Sequence, residues 1–436
     1  MTATDAPLQS HPHIITELPG PRARAVIELD HHATSPSLTR VYPLVVSRGE
    51  GAIIEDVDGN RFLDFNAGIA VNAAGHHHPA VTAAIHDQVD ACLHYCSSDF
   101  YHPVVAELSA QLADTVADHM GASRVFLANS GTEAVEGALK LARHHTGRPN
   151  VIAFYGAFHG RSLGSLSLTS SKAAYRSGFG IVTPGSYHAP FAGDGAGTEH
   201  GLDGAEYIEQ VLFRHMTEPG DVAAVFVEPI QGEGGYIVPP TGWLAELREL
   251  CDRHGILLVL DEVQSGVGRT GTMWAFEHDG VAPDILTAGK GLASGMPLSA
   301  IIARDEVMRW APGKHGSTFG GNPVACAAAL ATLDLVENEL AANAAARGTQ
   351  LLEGLSALAE RSPLIGDVRG RGLMIGFDLP DHDTAAAIEQ ECFHRGLLVL
   401  TCGRRGVRLA PPLVVGAEQC DIALGIIADA CEAVAR

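Results

Sequence analysis

Ile256-Leu257-Leu258-Val259-Leu260-Asp261-Glu262, followed by Asp284-Ile285-Leu286-Thr287-Ala288-Gly289-Lys290-Gly291, is the stretch whose reading decides the fold. Each apolar run has the length and continuity of a buried strand. An acid closes the first, and a lysine among glycines follows the second. Both groups therefore fall at the carboxyl edge of a parallel sheet, where open α/β folds bind their ligands. A lysine at that edge can form a Schiff base, and a carboxylate beside it can keep a pyridinium nitrogen protonated. The pair suggests pyridoxal phosphate chemistry.

Working outward, further short apolar runs alternate with helical patterns, as expected of βαβ units. The runs predict strands over Arg124–Ala128, Val151–Phe154, Val222–Glu228, Ile256–Asp261, Asp284–Thr287 and Leu298–Ala303, with helices over Glu133–His145 and Gly242–His254 between them. Upstream, Gly51–Phe65 reads as a hairpin turning at Asp58-Gly59. Residues 1–20 are polar and aperiodic, and are expected to be disordered. Beyond Asn322-Pro323 come two alanine-rich helices, Val324–Glu339 and Ala341–Arg361. The tail reads as strand Val368–Leu379, helix Thr384–Arg395, strand Leu397–Thr401, strand Val407–Leu409 and a helix from Ala417. The expected division is 21–75 and 326–436 for a small α+β domain and 76–325 for a large α/β domain.

The 436 residues carry a formal charge of −22. That balance argues against nucleic acid and anionic membranes as partners. No apolar run approaches the roughly 20 residues of a membrane span, and the N-terminus lacks a secretory pattern. Eight scattered cysteines without a Cys-x-x-Cys fit reduced thiols in the cytoplasm. His76-His77-His78 lacks the i,i+4 spacing of a helical metal site, so no metal is expected. Gly266-Val267-Gly268-Arg269-Thr270-Gly271 matches G-x-G-x-x-G, but chance alone gives roughly 0.6 such matches in so glycine-rich a chain. It does not follow its strand directly, and a dinucleotide site is rejected.

Four more motifs carry chemistry. Asn129-Ser130-Gly131-Thr132-Glu133 opens a helix with a capping box, and its amides suit a phosphate. Phe158-His159-Gly160-Arg161 follows a strand and offers a stacking ring and a carboxylate clamp. Glu228-Pro229-Ile230-Gln231-Gly232-Glu233 places two carboxylates on one loop at the sheet edge. Ser317-Thr318-Phe319-Gly320-Gly321-Asn322 is a small-residue loop with a candidate phosphate-binding hydroxyl.

Taken in order, these motifs resemble the class III (ω-amino acid) aminotransferases, from about Val45 to the C-terminus. The likeness extends to 4-aminobutyrate aminotransferases and to related broad-specificity amino acid racemases. It implies a fold type I pyridoxal-phosphate enzyme, with a mostly parallel seven-stranded sheet flanked by helices and a smaller α+β domain. By the same resemblance Lys290 carries the cofactor and shuttles the proton, and Asp261 pairs with the ring nitrogen. Gln264 holds the 3-hydroxyl, Val263 and Phe158 sandwich the ring with His159 beside them, and Gly131 and Thr132 hold the phosphate. Thr318 would reach that phosphate from a partner subunit, in a homodimer with shared active sites; a tetramer is left open. Arg161 and Arg408 would bind the two carboxylates of glutamate, with Glu228 and Glu233 at the substrate and Glu233 switching away from Arg408 between substrates.

The implied reaction moves an amino group from a 4-aminobutyrate-like donor to 2-oxoglutarate. The alternative is an amino acid racemase or epimerase on the same scaffold, to whose members Pro19-Gly20-Pro21-Arg22-Ala23-Arg24-Ala25 and Leu364–Leu373 look similar. A regulator on an inactive scaffold is disfavoured because Lys290 and Asp261 are both present. Arg404-Arg405 before Arg408 departs from the family pattern and puts the substrate pocket in doubt.

Overall fold

A computed structural model describes residues 8, 10–180, 182–192 and 201–436. The chain enters through an antiparallel meander of β1 (Val46–Glu50), β2 (Ile53–Asp56) and β3 (Arg61–Asp64). The expected turn forms at Asp58-Gly59, where Gly59 has φ +90° and Asp56 Oδ1 accepts from the amides of Asp58 and Asn60. The disorder expected of residues 1–20 is corrected over 10–20. His13 and Arg61 exchange two backbone hydrogen bonds, and the buried Asn60 Oδ1 accepts from the amides of Ile15 and Thr16. A buried carboxamide must be paired, and this segment pairs it. Residues 1–7 and 9 lie outside the described residues.

The central sheet holds β4 (Ser123–Ala128), β5 (Asn150–Phe154), β6 (Ser186–Ala189), β7 (Val222–Val227), β8 (Leu257–Asp261), β9 (Ile285–Ala288) and β10 (Ser299–Arg304). Their order is β4-β10-β9-β8-β7-β5-β6. Only β10 runs against its neighbours. The six expected strands are all present, shifted by a residue or so at their ends. The seventh, β6, has the sequence Ser-Tyr-His-Ala and sits at the sheet's edge, so it carries no apolar run to announce it.

Alternation along these strands feeds two cores. Val151, Ala153, Phe226, Val259 and Ile285 pack on one face with helix Gly131–Thr146. Ile152, Phe154, Val225, Leu258 and Leu286 pack on the other with helix Trp243–His254. Each fully buried Val, Leu, Ile or Phe among them contributes about 1.5–3 kcal/mol. The two-sided burial explains why the strands read as continuous apolar runs.

Asn322 caps helix Pro323–Leu335, its Oδ1 accepting from the amides of Val324 and Ala325. A π-helical turn, Val336–Leu340, leads into helix Ala341–Ala359. The expected strand Val368–Leu379 is instead a hairpin of β11 (Val368–Arg371) and β12 (Met374–Asp378). Gly372, at φ +53°, lies so close to Thr270 that an added Cβ would meet its carbonyl carbon at 2.3 Å. Helix His382–His394 follows.

The expected strand Leu397–Thr401 divides at the buried Val399. Its first part, β13 (Leu397–Leu398), joins β3 in parallel, and the second, β14 (Leu400–Cys402), pairs with β15 (Gly406–Leu409). The N-terminal meander thus shares a sheet with the C-terminal segment, and β11-β12-β15-β14 forms a third sheet. Helix Ala417–Val434 closes the chain. The Gly266–Gly271 string lies between β8 and β9. Its Arg269 is buried and donates to the carbonyls of Leu373 and Pro411, tying the large sheet's loops to the C-terminal part. No helix among the described residues is long and apolar enough to cross a membrane.

Candidate active site

Six of the seven strands run in one sense, and the site draws on the edge where five of them end: β4, β5, β7, β8 and β9. The candidate residues close these strands or lie in the segments that follow them. Gly131 and Thr132, Phe158, His159 and Arg161, Glu228, then Asp261, Val263, Gln264 and Lys290 line one cavity of about 310 Å³. Sheet direction alone assembles them, since their sequence separations run to well over a hundred residues.

Asp261 is buried at the end of β8. Its Oδ1 accepts from Thr287 Oγ1 at 3.0 Å and from the Val263 amide at 3.2 Å. Its Oδ2 accepts from His159 Nδ1 at 2.7 Å. Burial alone would lower the His159 imidazole, but the Asp261 carboxylate outweighs burial and raises it. Thr287 escaped the sequence reading. It is the β9 residue in register with Asp261, so strand pairing was the signal that would have found it.

Lys290 follows β9 with φ +41°, a left-handed conformation that costs a lysine about 1–3 kcal/mol and persists only where the surroundings enforce it. Burial pulls its ammonium below the usual lysine range, against the opposing pull of Asp261 and Glu233. A lysine so desolvated holds more of the neutral, nucleophilic amine.

At the other end of the cavity the capping box forms by half. Glu133 Oε2 accepts from the Ser130 amide at 2.8 Å, while Ser130 Oγ turns to the same carboxylate at 2.9 Å. No group among the described residues accepts from the Gly131 and Thr132 amides, which face the cavity at a helix N-terminus. An added Cβ at Gly131 would meet Val263 Cγ1 at 2.7 Å, so only glycine lets Val263 pack there. Thr132 Oγ1 lies 2.6 Å from both Ser162 Oγ and Ser165 Oγ, and Ser162 Oγ donates to Glu136 Oε1 at 2.7 Å. Neither serine gave a sequence signal: Ser162 is the extended residue before the short helix Leu163–Leu168, and Ser165 lies within it.

Glu228 is buried, and burial pushes its carboxyl up to about 7. Its oxygens accept from the amides of Phe158 at 3.1 Å and Gly232 at 3.0 Å. It therefore ties the loops after β5 and β7 together. Glu233, five residues on, pairs instead with the buried Arg408, whose Nη1 donates to its Oε1 at 2.6 Å. Burial would raise the Glu233 carboxyl, but Arg408, with Lys290 and Lys172 beyond it, holds it below the usual carboxylate range. The missed residue here is Tyr236, buried at φ +53°, whose hydroxyl donates to Gln264 Oε1 at 2.8 Å.

Arg161 is exposed at the cavity mouth. Thr318 is exposed as well, and lies outside this cavity. Arg404 and Arg405 line a separate cleft of about 940 Å³ between the Gly234-Gly235 turn and β11–β12, where Arg405 Nε donates to Asp378 Oδ2 at 3.1 Å. The two extra arginines thus stand apart from the cavity that holds Lys290.

The donor set fits pyridoxal phosphate. Unpaired amides at a helix N-terminus suit the phosphate, and a buried carboxylate suits a protonated ring nitrogen. Phe158 and Val263 supply apolar walls, and a desolvated lysine completes the set.

A family model for aminotransferase class-III matches residues 34–431. The acetylornithine aminotransferase of Methanopyrus kandleri is 45% identical over 393 residues, covering 90% of this chain and 95% of its own. The 4-aminobutyrate aminotransferase of Mycobacterium leprae is 39% identical over 440 residues, covering 95% and 98%. The alanine/serine racemase of Pyrococcus horikoshii is 38% identical over 441 residues, covering 96% and 92%. Among solved structures, an amine transaminase from an uncultivated Pseudomonas species, with PLP bound, is similar with a TM-score of 0.84 and 34% identity, covering 92% of this chain and 97% of its own.

Proposed function

The chain belongs to the class III aminotransferases, pyridoxal-phosphate enzymes, and from that premise we propose that it moves an amino group from an ω-amino acid of the 4-aminobutyrate type to 2-oxoglutarate. The observation that carries this reading is the ion pair of the partly buried Glu233 with the buried Arg408, which lies outside the lining of the Lys290 cavity but whose charges act on Lys290. A donor whose reacting end is a bare amine brings no α-carboxylate, and Glu233 then neutralises Arg408. Its distal carboxylate meets Arg161 at the mouth. A 2-oxo acid brings a carboxylate next to its reacting carbon, and Glu233 turns away to release Arg408 to it.

Pyridoxal phosphate, when bound, would supply the electron sink that makes the C–H of the substrate's amine-bearing carbon acidic. Around it, Asp261 fixes a negative charge at the cavity floor, steadied by His159 and Thr287. The Gly131 and Thr132 amides hold an anion, with Thr318 of a partner subunit completing that cradle in a homodimer. The Lys290 amine would take the proton from the amine-bearing carbon and deliver it to the far side of the amine nitrogen, two bonds away, and Phe158 and Val263 would exclude water. A cytoplasmic setting fits eight free cysteines, six of them buried.

Glu233→Ala tests the switch. The ratio of ω-amino to α-amino substrate turnover is expected to fall at least about tenfold, because a charge-assisted bond of about 1.5–3 kcal/mol no longer masks Arg408. An unchanged ratio, measured in side-by-side half-reactions, rules the switch out. The likeness to an alanine/serine racemase supports a second reading, in which the proton returns to the opposite face of Cα and the amino group stays on the substrate.

A further inference from the structure

Arg161, the proposed clamp for the donor's distal carboxylate, has no carboxylate and no hydrogen-bond acceptor holding it among the described residues; aromatic rings hold it instead. Its Cζ lies 4.3 Å from the centroid of the Tyr175 ring and 6.0 Å from that of Phe158. The two rings meet edge to face at 5.8 Å and 80°, so Phe158, a wall of the cavity, braces Tyr175. Tyr175 ends a single 3₁₀ turn, Ala173–Tyr175, and Lys172 at its start reaches within 5.8 Å of the same ring. A guanidinium on a long flexible stem loses side-chain entropy whenever it is held for binding. A ring stacked on it removes most of that loss beforehand and leaves its N–H groups pointing outward for a carboxylate.

We propose that Tyr175 is a positioning residue that holds Arg161 over the cavity mouth, and that it thereby sets the preference for amines bearing a distal carboxylate. The proposal rests on the reading of Arg161 as the clamp. The ring does the holding, since no hydrogen bond engages the hydroxyl among the described residues. A specific substitution pattern follows. Tyr175→Leu loses the stack, and Tyr175→Phe keeps it.

The test is calorimetric binding of butanoate, a carboxylate with no amine, to the holoenzyme in a double-mutant cycle with Arg161→Ala. Tyr175→Leu is expected to weaken butanoate about 2- to 30-fold, the range spanned by exposed and desolvated cation–π contacts. Tyr175→Phe restores most of that loss, and Tyr175→Leu adds nothing once Arg161 is alanine. In turnover the loss falls on KM for 4-aminobutyrate rather than on kcat, and spares an alkylamine that carries no carboxylate. Losses that add in the cycle, or a Tyr175→Phe variant as weak as Tyr175→Leu, overturn the proposal. Coupling supports it even where amino transfer from 4-aminobutyrate is absent, so its failure and that of the functional reading are separable.

Discussion

Lys290→Ala is expected to slow amino transfer about 100- to 10,000-fold, the range for losing a positioned acid–base group, while the protein still folds. The amine enters a cavity where no partner among the described residues holds it by a hydrogen bond or an ion pair, so its removal strands no buried group. Burial, which lowers its ammonium, is relieved rather than worsened by alanine. Melting temperature should stay within a few degrees of the parent, and the cofactor, which the proposed reading anchors at Asp261 and the Gly131 amides as well, should bind without its covalent signature. A variant that keeps a tenth or more of parental turnover would remove Lys290 from the chemistry.

Asp261→Asn is the second large effect. The side chain keeps its shape but loses its charge. A charge-assisted bond of about 1.5–3 kcal/mol corresponds to a drop of about 10- to 150-fold in kcat. The loss extends to His159, whose raised imidazole depends on the Asp261 carboxylate beside Nδ1. An amide nitrogen turned toward Nδ1–H would set donor against donor, so the imidazole must change tautomer or rotate within a buried site. Weaker cofactor retention and a shifted pH profile should accompany the fall in rate. Activity within a factor of about two of the parent would contradict the pairing of Asp261 with the ring nitrogen, because even a neutral hydrogen bond carries about 1 kcal/mol.

How much of this was legible in the sequence depends on burial. Strands covered on both faces, such as Leu257–Asp261 and Ile285–Ala288, show as apolar runs, and the residues after them fall at one sheet edge by direction alone. The edge strand Ser186–Ala189 has no such run and was invisible. Leu397–Thr401 looked like one strand because burial is continuous through Val399, while the backbone there passes from one sheet to another. Val368–Leu379 hid a hairpin, since Arg371-Gly372 is not a strong turn signal without the close approach to Thr270 that requires the glycine.

At the site, motif residues with a distinctive chemical type are legible in the sequence and most of them line one cavity, while Glu233, Arg408 and Thr318 lie outside its lining and partners of ordinary type leave no signal. Thr287, Tyr236, Ser162 and Ser165 act through register or loop geometry. Tyr175 is found only from the position of its ring beneath Arg161.

The most direct test is a single half-reaction. Purified holoenzyme is mixed with 4-aminobutyrate in the absence of any 2-oxo acid, and the yellow absorbance of the bound cofactor is followed. The account predicts that the yellow band bleaches as the amino group moves to the cofactor, and that it returns on adding 2-oxoglutarate. A band that stays intact with 4-aminobutyrate, while an L-amino acid acquires its D-enantiomer, would contradict the account and identify a racemase.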